Sequence, residues 1–158
     1  MTLQVVDSTL TTTYSQDLLP TDPLYLPLRF VKNGTVNSEL VVKLFLTNDS
    51  LVDSYGSVVL TPVPLTKIGV ASIGGWQLRI MSGIDIISTP TEAQWDEITP
   101  GDPMLYNDPV HDTGGGVFVF PNDNSYYFPF FMKLTIPNGT PVQISRSVSL
   151  KIDSVVVP

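Results

Sequence analysis

The chain has 158 residues, no cysteine, one histidine and a formal charge of −7. That length allows one domain with a core of ordinary size, and the missing residues exclude disulfides, Cys-based zinc sites and multi-His metal sites. The acidic balance argues against nucleic acid, whose phosphates call for Lys and Arg, and against an anionic membrane surface.

No stretch reaches the roughly 20 apolar residues of a membrane-spanning helix. The first twenty residues carry neither the basic start nor the apolar run of a secretory signal. Synthesis and assembly are therefore expected in the cytoplasm. Pro and Gly punctuate a chain rich in Val, Ile, Leu, Thr and aromatics, and long helical periodicity is missing. An all-β domain of many short strands follows.

Residues 1–23 are Thr- and Ser-rich. They read either as an arm that reaches a neighbouring subunit or as an edge strand, over Thr9–Tyr14, with a linker. The sandwich is expected over 24–158. In Leu24–Val31, Leu24, Leu26, Leu28 and Phe30 alternate, and Pro27 marks an edge or bulged strand. In Glu39–Leu46, Leu40, Val42, Leu44 and Leu46 point inward and Phe45 outward. Tyr55–Pro62 and Leu65–Ala71 read as two strands divided by Pro62-Val63-Pro64. Trp76–Met81 alternates Trp76, Leu78 and Ile80 with polar residues, as suits a central strand, and Ile84–Ile87 reads as a short one. Thr91–Trp95 predicts one helical turn capped by Thr89 or Thr91. Pro100–Asp112 reads as irregular, Gly114-Gly115-Gly116 as a flexible loop, and Val117–Phe120 as a short strand.

The chain closes with YFPFFMKLTIPNGTPVQISRSVSLKI, Tyr127–Ile152. Phe128, Phe130, Met132, Leu134 and Ile136 share one face, and Val148, Leu150 and Ile152 alternate with polar residues. Asn138-Gly139 between Pro137 and Pro141 predicts a tight reversal, and hence a long antiparallel hairpin. Arg146 falls in the inward phase, which calls for a bulge or a later strand start. The expected core is Phe128, Phe130, Met132, Leu134, Trp76 and Leu44, with Val42, Leu78 and Leu150.

The phrase FPFFMKLTIPNGTPVQISRSVSL resembles the closing hairpin of small immunoglobulin-like domains in virion proteins of tailed bacteriophages. The resemblance covers about a fifth of the chain. It implies an immunoglobulin-like antiparallel β-sandwich with a non-enzymatic role on the particle, as a capsid decoration subunit or a tail or baseplate component. Its partners would be other virion proteins, in a homo-oligomer or repeated array.

Other chemistry has little support. His111 is the lone histidine, GxSxG is missing, and a Ser–His–Asp set is not expected. His111 reads as a dispensable residue of a polar, Gly-flanked loop. No cofactor is expected and no metal site is assigned. Between Ile80 and Met132 eight acids occur with no Lys or Arg. Of these, Asp102, Asp108, Asp112 and Asp123, beside Asn107 and Asn122, are the candidate calcium ligands, though without DxDxDG spacing. Asn33-Gly34-Thr35, Asn48-Asp49-Ser50 and Asn138-Gly139-Thr140 match the glycosylation pattern and read as turns. The second functional reading is a carbohydrate-binding or adhesin-like module using Trp76, Trp95 and Tyr106.

Overall fold

The computed structural model describes residues 3–11, 13–15, 24–29, 38–64, 77–82, 88–136 and 144–157. Two antiparallel sheets face each other. The first has the order β2-β1-β4-β9-β6, built from β1 (Leu3–Asp7), β2 (Thr13–Ser15), β4 (Ser38–Asn48), β6 (Gln77–Ser82) and β9 (Tyr127–Ile136). The second has the order β3-β10-β5-β7, built from β3 (Leu24–Arg29), β5 (Ser54–Pro64), β7 (Met104–Leu105) and β10 (Ile144–Val157). β8 (Val119–Phe120) also pairs with β5. The expected all-β antiparallel sandwich is what forms.

The core fills the space between the sheets. Leu44 and Leu46 of β4, Leu78 and Ile80 of β6, and Phe128, Phe130, Met132 and Leu134 of β9 supply one wall. Val58 and Leu60 of β5, with Leu150 and Ile152 of β10, supply the other. Trp76, assigned to the core from its spacing, lies outside the described residues, as do Leu65–Ala71 and Ile84–Ile87.

The closing stretch is not a hairpin. β9 bonds to β4 on one side, from Ser38↔Ile136 to Thr47↔Tyr127, and to β6 on the other, from Gln77↔Thr135 to Ser82↔Phe130. A strand has two edges, and both edges of β9 are taken. β10 instead lies in the opposite sheet between β3 and β5. The Asn138-Gly139 turn lies outside the described residues. A register shift in the β10–β3 pairing falls between Ser145 and Val148, which brackets Arg146 and resets the phase there.

Being central, β9 is covered on both faces. Phe131 and Lys133 belong to its outward set, yet they are as buried as the inward residues. This is why YFPFFM reads as a nearly continuous apolar run rather than a clean alternation. Part of the cover is the helix α1 (Glu92–Asp96). Gln94 accepts a hydrogen bond from the Thr91 amide at 2.8 Å, one arm of a capping box, and Trp95 is buried.

The pairings also fix the course of β5 and of the described parts of both chain ends. β5 takes in Pro62-Val63-Pro64 and so extends to Pro64, past the expected end at Pro62, while the second expected strand, Leu65–Ala71, lies outside the described residues. The N-terminal residues do not form a free arm over their described part: β1 pairs with β4 from Leu3↔Asn48 to Asp7↔Leu44, and Leu3 and Val5 enter the core. β2 then forms the sheet end. The C-terminal valines are likewise held by β5, through Val155↔Gly56, Val156↔Tyr55 and Val157↔Ser54. A Cβ at Gly56 would stand 3.0 Å from Val157 Cγ2, so the glycine lets that last turn of strand sit down. Just beyond, the β10–β5 register shifts between Asp153 and Val155. Two residues, Ser57 and Val58, oppose one, and Ser57 takes φ +50°.

Candidate functional site

Among the described residues, the most connected cluster of polar side chains centres on Asp108. The chain enters it from β7, continues through Tyr106 and a 3-10 turn at Pro109–His111, and Tyr126 meets it just before β9. Asp108 caps the 3-10 turn by accepting from the Val110 amide at 2.9 Å through Oδ1. Its other oxygen, Oδ2, accepts a short hydrogen bond from the Tyr126 hydroxyl and lies 2.9 Å from His111 Nδ1. Tyr106 Oη lies 2.9 Å from the same Nδ1 and 3.0 Å from Tyr126 Oη.

Counting protons orders the cluster. The Asp108 carboxylate can only accept, so Nδ1 carries a proton and directs it there. The single Tyr126 proton also goes to Asp108. Tyr106 therefore donates to Tyr126. Both Asp108 oxygens, His111 Nδ1 and both tyrosine hydroxyls thus have partners, as groups in a buried network require.

The titration shifts follow from this arrangement. Burial by itself would raise the Asp108 pKa, but the hydrogen bonds from Tyr126, the Val110 amide and His111 outweigh it and hold the carboxyl below its ordinary value. Burial raises both tyrosines, and the Asp108 charge adds to the effect. The aromatic packing is equally close. His111 meets Tyr126 edge-on at 4.6 Å, and Tyr106 meets Phe120 at 4.8 Å and Phe128 at 4.9 Å. His111 is thus a member of a packed clasp and not a spare loop residue. Its side-chain partners here are a carboxylate and tyrosines, with no serine or threonine hydroxyl bonded to the ring among the described residues.

The four candidate calcium ligands are not gathered. Among the described residues no three His, Asp or Glu side chains form a group able to hold a metal ion. Asp108 is committed to the clasp. Asp112 accepts from the Gly114 amide at 2.8 Å, and Asp123 accepts from the Ser125 amide and hydroxyl at 2.8 and 2.6 Å. These are acids serving their own turns, and the Ser125 bonds lower the Asp123 pKa. Asp102 is exposed. The triple glycine makes an ordered reversal. All three take positive φ, and Thr113 donates to Val117 at 2.8 Å across them.

Of the three aromatic residues expected to serve a sugar, Trp76 lies outside the described residues. Trp95 and Tyr106 are 1% and 4% exposed, so neither offers a face to a ligand. Phe45 is neither lone nor fully exposed. It packs edge-on against Tyr127 at 6.1 Å, with Lys43 Nζ 5.3 Å from its ring.

Two polar residues carry more weight than their sequence context indicates. Asn48, read as a turn residue, is fully buried. Its Nδ2 donates to the Asp53 and Pro121 carbonyls at 2.8 and 2.9 Å, and its Oδ1 accepts from the Ser50 amide at 3.0 Å. It pins the β4–β5 turn to the approach to β9. Lys133 is 2% exposed, with Nζ 2.6 Å from Glu92, 3.2 Å from Glu39 and 5.9 Å from the Trp95 ring centre. No local signal marks Asn48. Lys133 was visible only as a charge inside an apolar run. Comparison with protein-family models, curated proteins and solved structures finds no match to this chain.

Proposed function

We propose that this chain is a non-enzymatic structural or accessory protein of a tailed-bacteriophage virion, the role that the sequence of the closing stretch implies although its two strands do not pair as a hairpin, and that its sandwich is of the jelly-roll type. The observation that carries the reading is the nesting of its strand pairs. β3 pairs with β10, β4 with β9, and β5 with β7 and β8, each antiparallel. An antiparallel ribbon folded on itself in this way puts β10 beside β5 and β9 beside β6, as found. That winding supports a double Greek key, an architecture used by viral capsid and lectin domains. An immunoglobulin-like sandwich would instead keep the last two strands as neighbours in one sheet.

Fold alone does not assign function. Between the two uses of this architecture, the burial of Trp95 and Tyr106 disfavours the lectin. Exposed apolar side chains outside any aromatic platform favour protein contacts: Leu51 and Val52 at the β4–β5 turn, Leu105, Val110 and Val117. The protein then acts by packing against other virion proteins in a repeated array after synthesis in the host cytoplasm. A mass-spectrometric inventory of separated heads and tails tests this. The chain should appear in one fraction at a fixed copy number per particle. Its consistent absence from purified particles would refute the role.

A further inference from the structure

The outer edge of β5 is covered in two pieces, by β7 at Val59 and Leu60 and by β8 at Tyr55 and Gly56. Between them, at the Ser57–Val58 bulge, a cleft of about 400 Å³ opens. Val58, Tyr106 and Phe118 line its depth, and Leu105 and Val117, 62% and 57% exposed, form its rim. Among the described residues no charged side chain lines it. Asp112, bridged to Phe118 beside it, gives its carboxylate to the Gly114 amide. The cleft therefore suits an occupant that is apolar and uncharged, since a charge buried there would go unpaired.

The same chain carries such a group. After β1 the chain turns through residues 8–11. Asp7 organises the turn: its Oδ1 accepts from the Thr11 amide at 2.9 Å, its Oδ2 from the Thr9 hydroxyl at 2.9 Å, and its carbonyl from the Leu10 amide at 3.0 Å. At the tip Leu10 takes φ +58°, a left-handed conformation that suits Gly or Asn and that leucine adopts at a cost. It is also 51% exposed. Strain of this kind concentrates where proteins bind. The other exposed apolar tips differ in their neighbours. Leu51 and Val52 lie between Asp49 and Asp53, and Val110 between Asp108 and Asp112. The tip Ser8-Thr9-Leu10-Thr11 has no charge, and its nearest acid, Asp7, is turned to the tip's own amides and hydroxyls.

Topology sets tip and cleft on opposite flanks. The first sheet ends in β2 on one flank and β6 on the other, and the second in β3 and β7. β2 lies near β3, and β6 near β7. The turn between β1 and β2 is thus on the flank away from the cleft.

We propose that Leu10 of one copy inserts between Leu105 and Val117 of the next, in a head-to-tail contact that builds a repeated array. The inference rests on the repeated-array reading above and names the surfaces that make it. The contact joins unlike surfaces, so it closes into a ring or runs on as a filament. A single small anchor holds weakly in solution, and many such contacts act together in an array. Two copies at −7 repel each other, so salt should strengthen the contact by screening.

The test uses the full chain at millimolar concentration, followed by sedimentation and by the methyl resonances of Leu105 and Val117. The parent should self-associate, and more tightly at high salt. Leu10→Asn removes the anchor and keeps the turn, because Asn accepts the left-handed region. Val117→Asp places a charge at the cleft mouth. Each should weaken self-association at least about tenfold without lowering the melting temperature. Mixed in equal amounts, the two variants should recover one contact and stop at a dimer, since one keeps an intact cleft and the other an intact tip. Leu10→Gly and Leu105→Asp, at the same two surfaces, repeat the test independently. A monomeric parent, undiminished association of either variant, or a mixture that stays monomeric would overturn the contact. Tip-to-cleft association by a protein that never joins particles would leave the contact standing and overturn the virion reading, and the opposite pair of results would do the reverse.

Discussion

Lys133 offers the sharpest energetic test of the fold, because its network is lopsided. The lysine side chain is 2% exposed, whereas its partners Glu39 and Glu92 are 45% and 64% exposed. Removing the two acids leaves an ammonium group buried and unpaired. Removing the lysine leaves two carboxylates that water already reaches. The double substitution Glu39→Gln with Glu92→Gln should therefore cost about 3 kcal/mol, the low end for breaking a buried pair from one side. Lys133→Met keeps the stem against Trp95 and loses only two half-solvated contacts, so it should stay within about 1 kcal/mol of the parent. The triple variant should resemble Lys133→Met, which gives a coupling of about 3 kcal/mol between the sites. In a chain of this length, 3 kcal/mol lowers the melting temperature by roughly 6–12 °C. Urea and thermal melts of the four proteins decide it. If the double variant loses under about 1 kcal/mol, or the triple is as damaged as the double, the buried-cation argument fails. Alkaline titration supplies a second reading. Burial lowers the Lys133 pKa, but the bonds to Glu92 and Glu39 outweigh it and the folded value is raised. The stabilisation is then complete below the unfolded value near ~10.5 and is lost as pH rises through the folded one. That loss should be smaller in Lys133→Met.

The remaining predictions address other parts of the molecule. Asp108→Asn should cost about 2 kcal/mol at neutral pH, as charge-assisted hydrogen bonds are lost. Because the folded Asp108 pKa is lowered, its contribution is present above the unfolded value near ~3.8 and disappears as pH falls through the folded one. The gap between the variant and the parent should therefore close in acid melts. His111→Ala should lower stability by about 1–2 kcal/mol through the clasp, and an unchanged melt would return His111 to the status of a loop residue. Ser57→Gly should raise stability by about 0.5–1 kcal/mol by relieving the +50° φ at the bulge, and a destabilised variant would contradict that account. Phe130→Ala should cost about 3–5 kcal/mol, measured in urea, because Phe130 is fully enclosed between the sheets.

The strands were legible wherever one face is wet or the apolar run is long. Leu40–Leu46 and Phe128–Leu134 announce themselves by period and composition, and the helical turn at Glu92 by its capping residues. The clasp was not legible. Tyr106, Asp108, His111 and Tyr126 are spread over a stretch without period, and their meeting depends on β7 and β9 being delivered to the same end of the sandwich. Asn48 was hidden for a related reason: its partners are the carbonyls of Asp53 and Pro121, one local and one remote, and backbone carbonyls leave no mark in sequence. The N-terminal strand was missed because LQVVD is short, and only its pairing with β4 shows which face is buried.

The closing stretch shows why local turn chemistry cannot choose a partner strand. Asn-Gly between two apolar strands is a strong hairpin signal when both strands have a free edge. Here β9 is eleven-for-ten matched in length with β4, and ten consecutive pairs from Ser38↔Ile136 to Thr47↔Tyr127 join them. Its other edge is held by β6 over six pairs. A hairpin with β10 would have to displace one of these. β10, for its part, pairs with β5 along Val148–Val157 and with β3 along Ile144–Leu150. Four long ladders are made by sending the two strands to opposite sheets, and at least one would be lost by pairing them together. The apolar faces agree with this choice, since Phe128, Phe130 and Met132 from one sheet and Leu150 and Ile152 from the other enclose a single core. In one hairpin those faces would stand side by side and still need a cover. The same competition for edges leaves β5 with only the short strands β7 and β8 along its outer side, and it is between those two that the cleft opens.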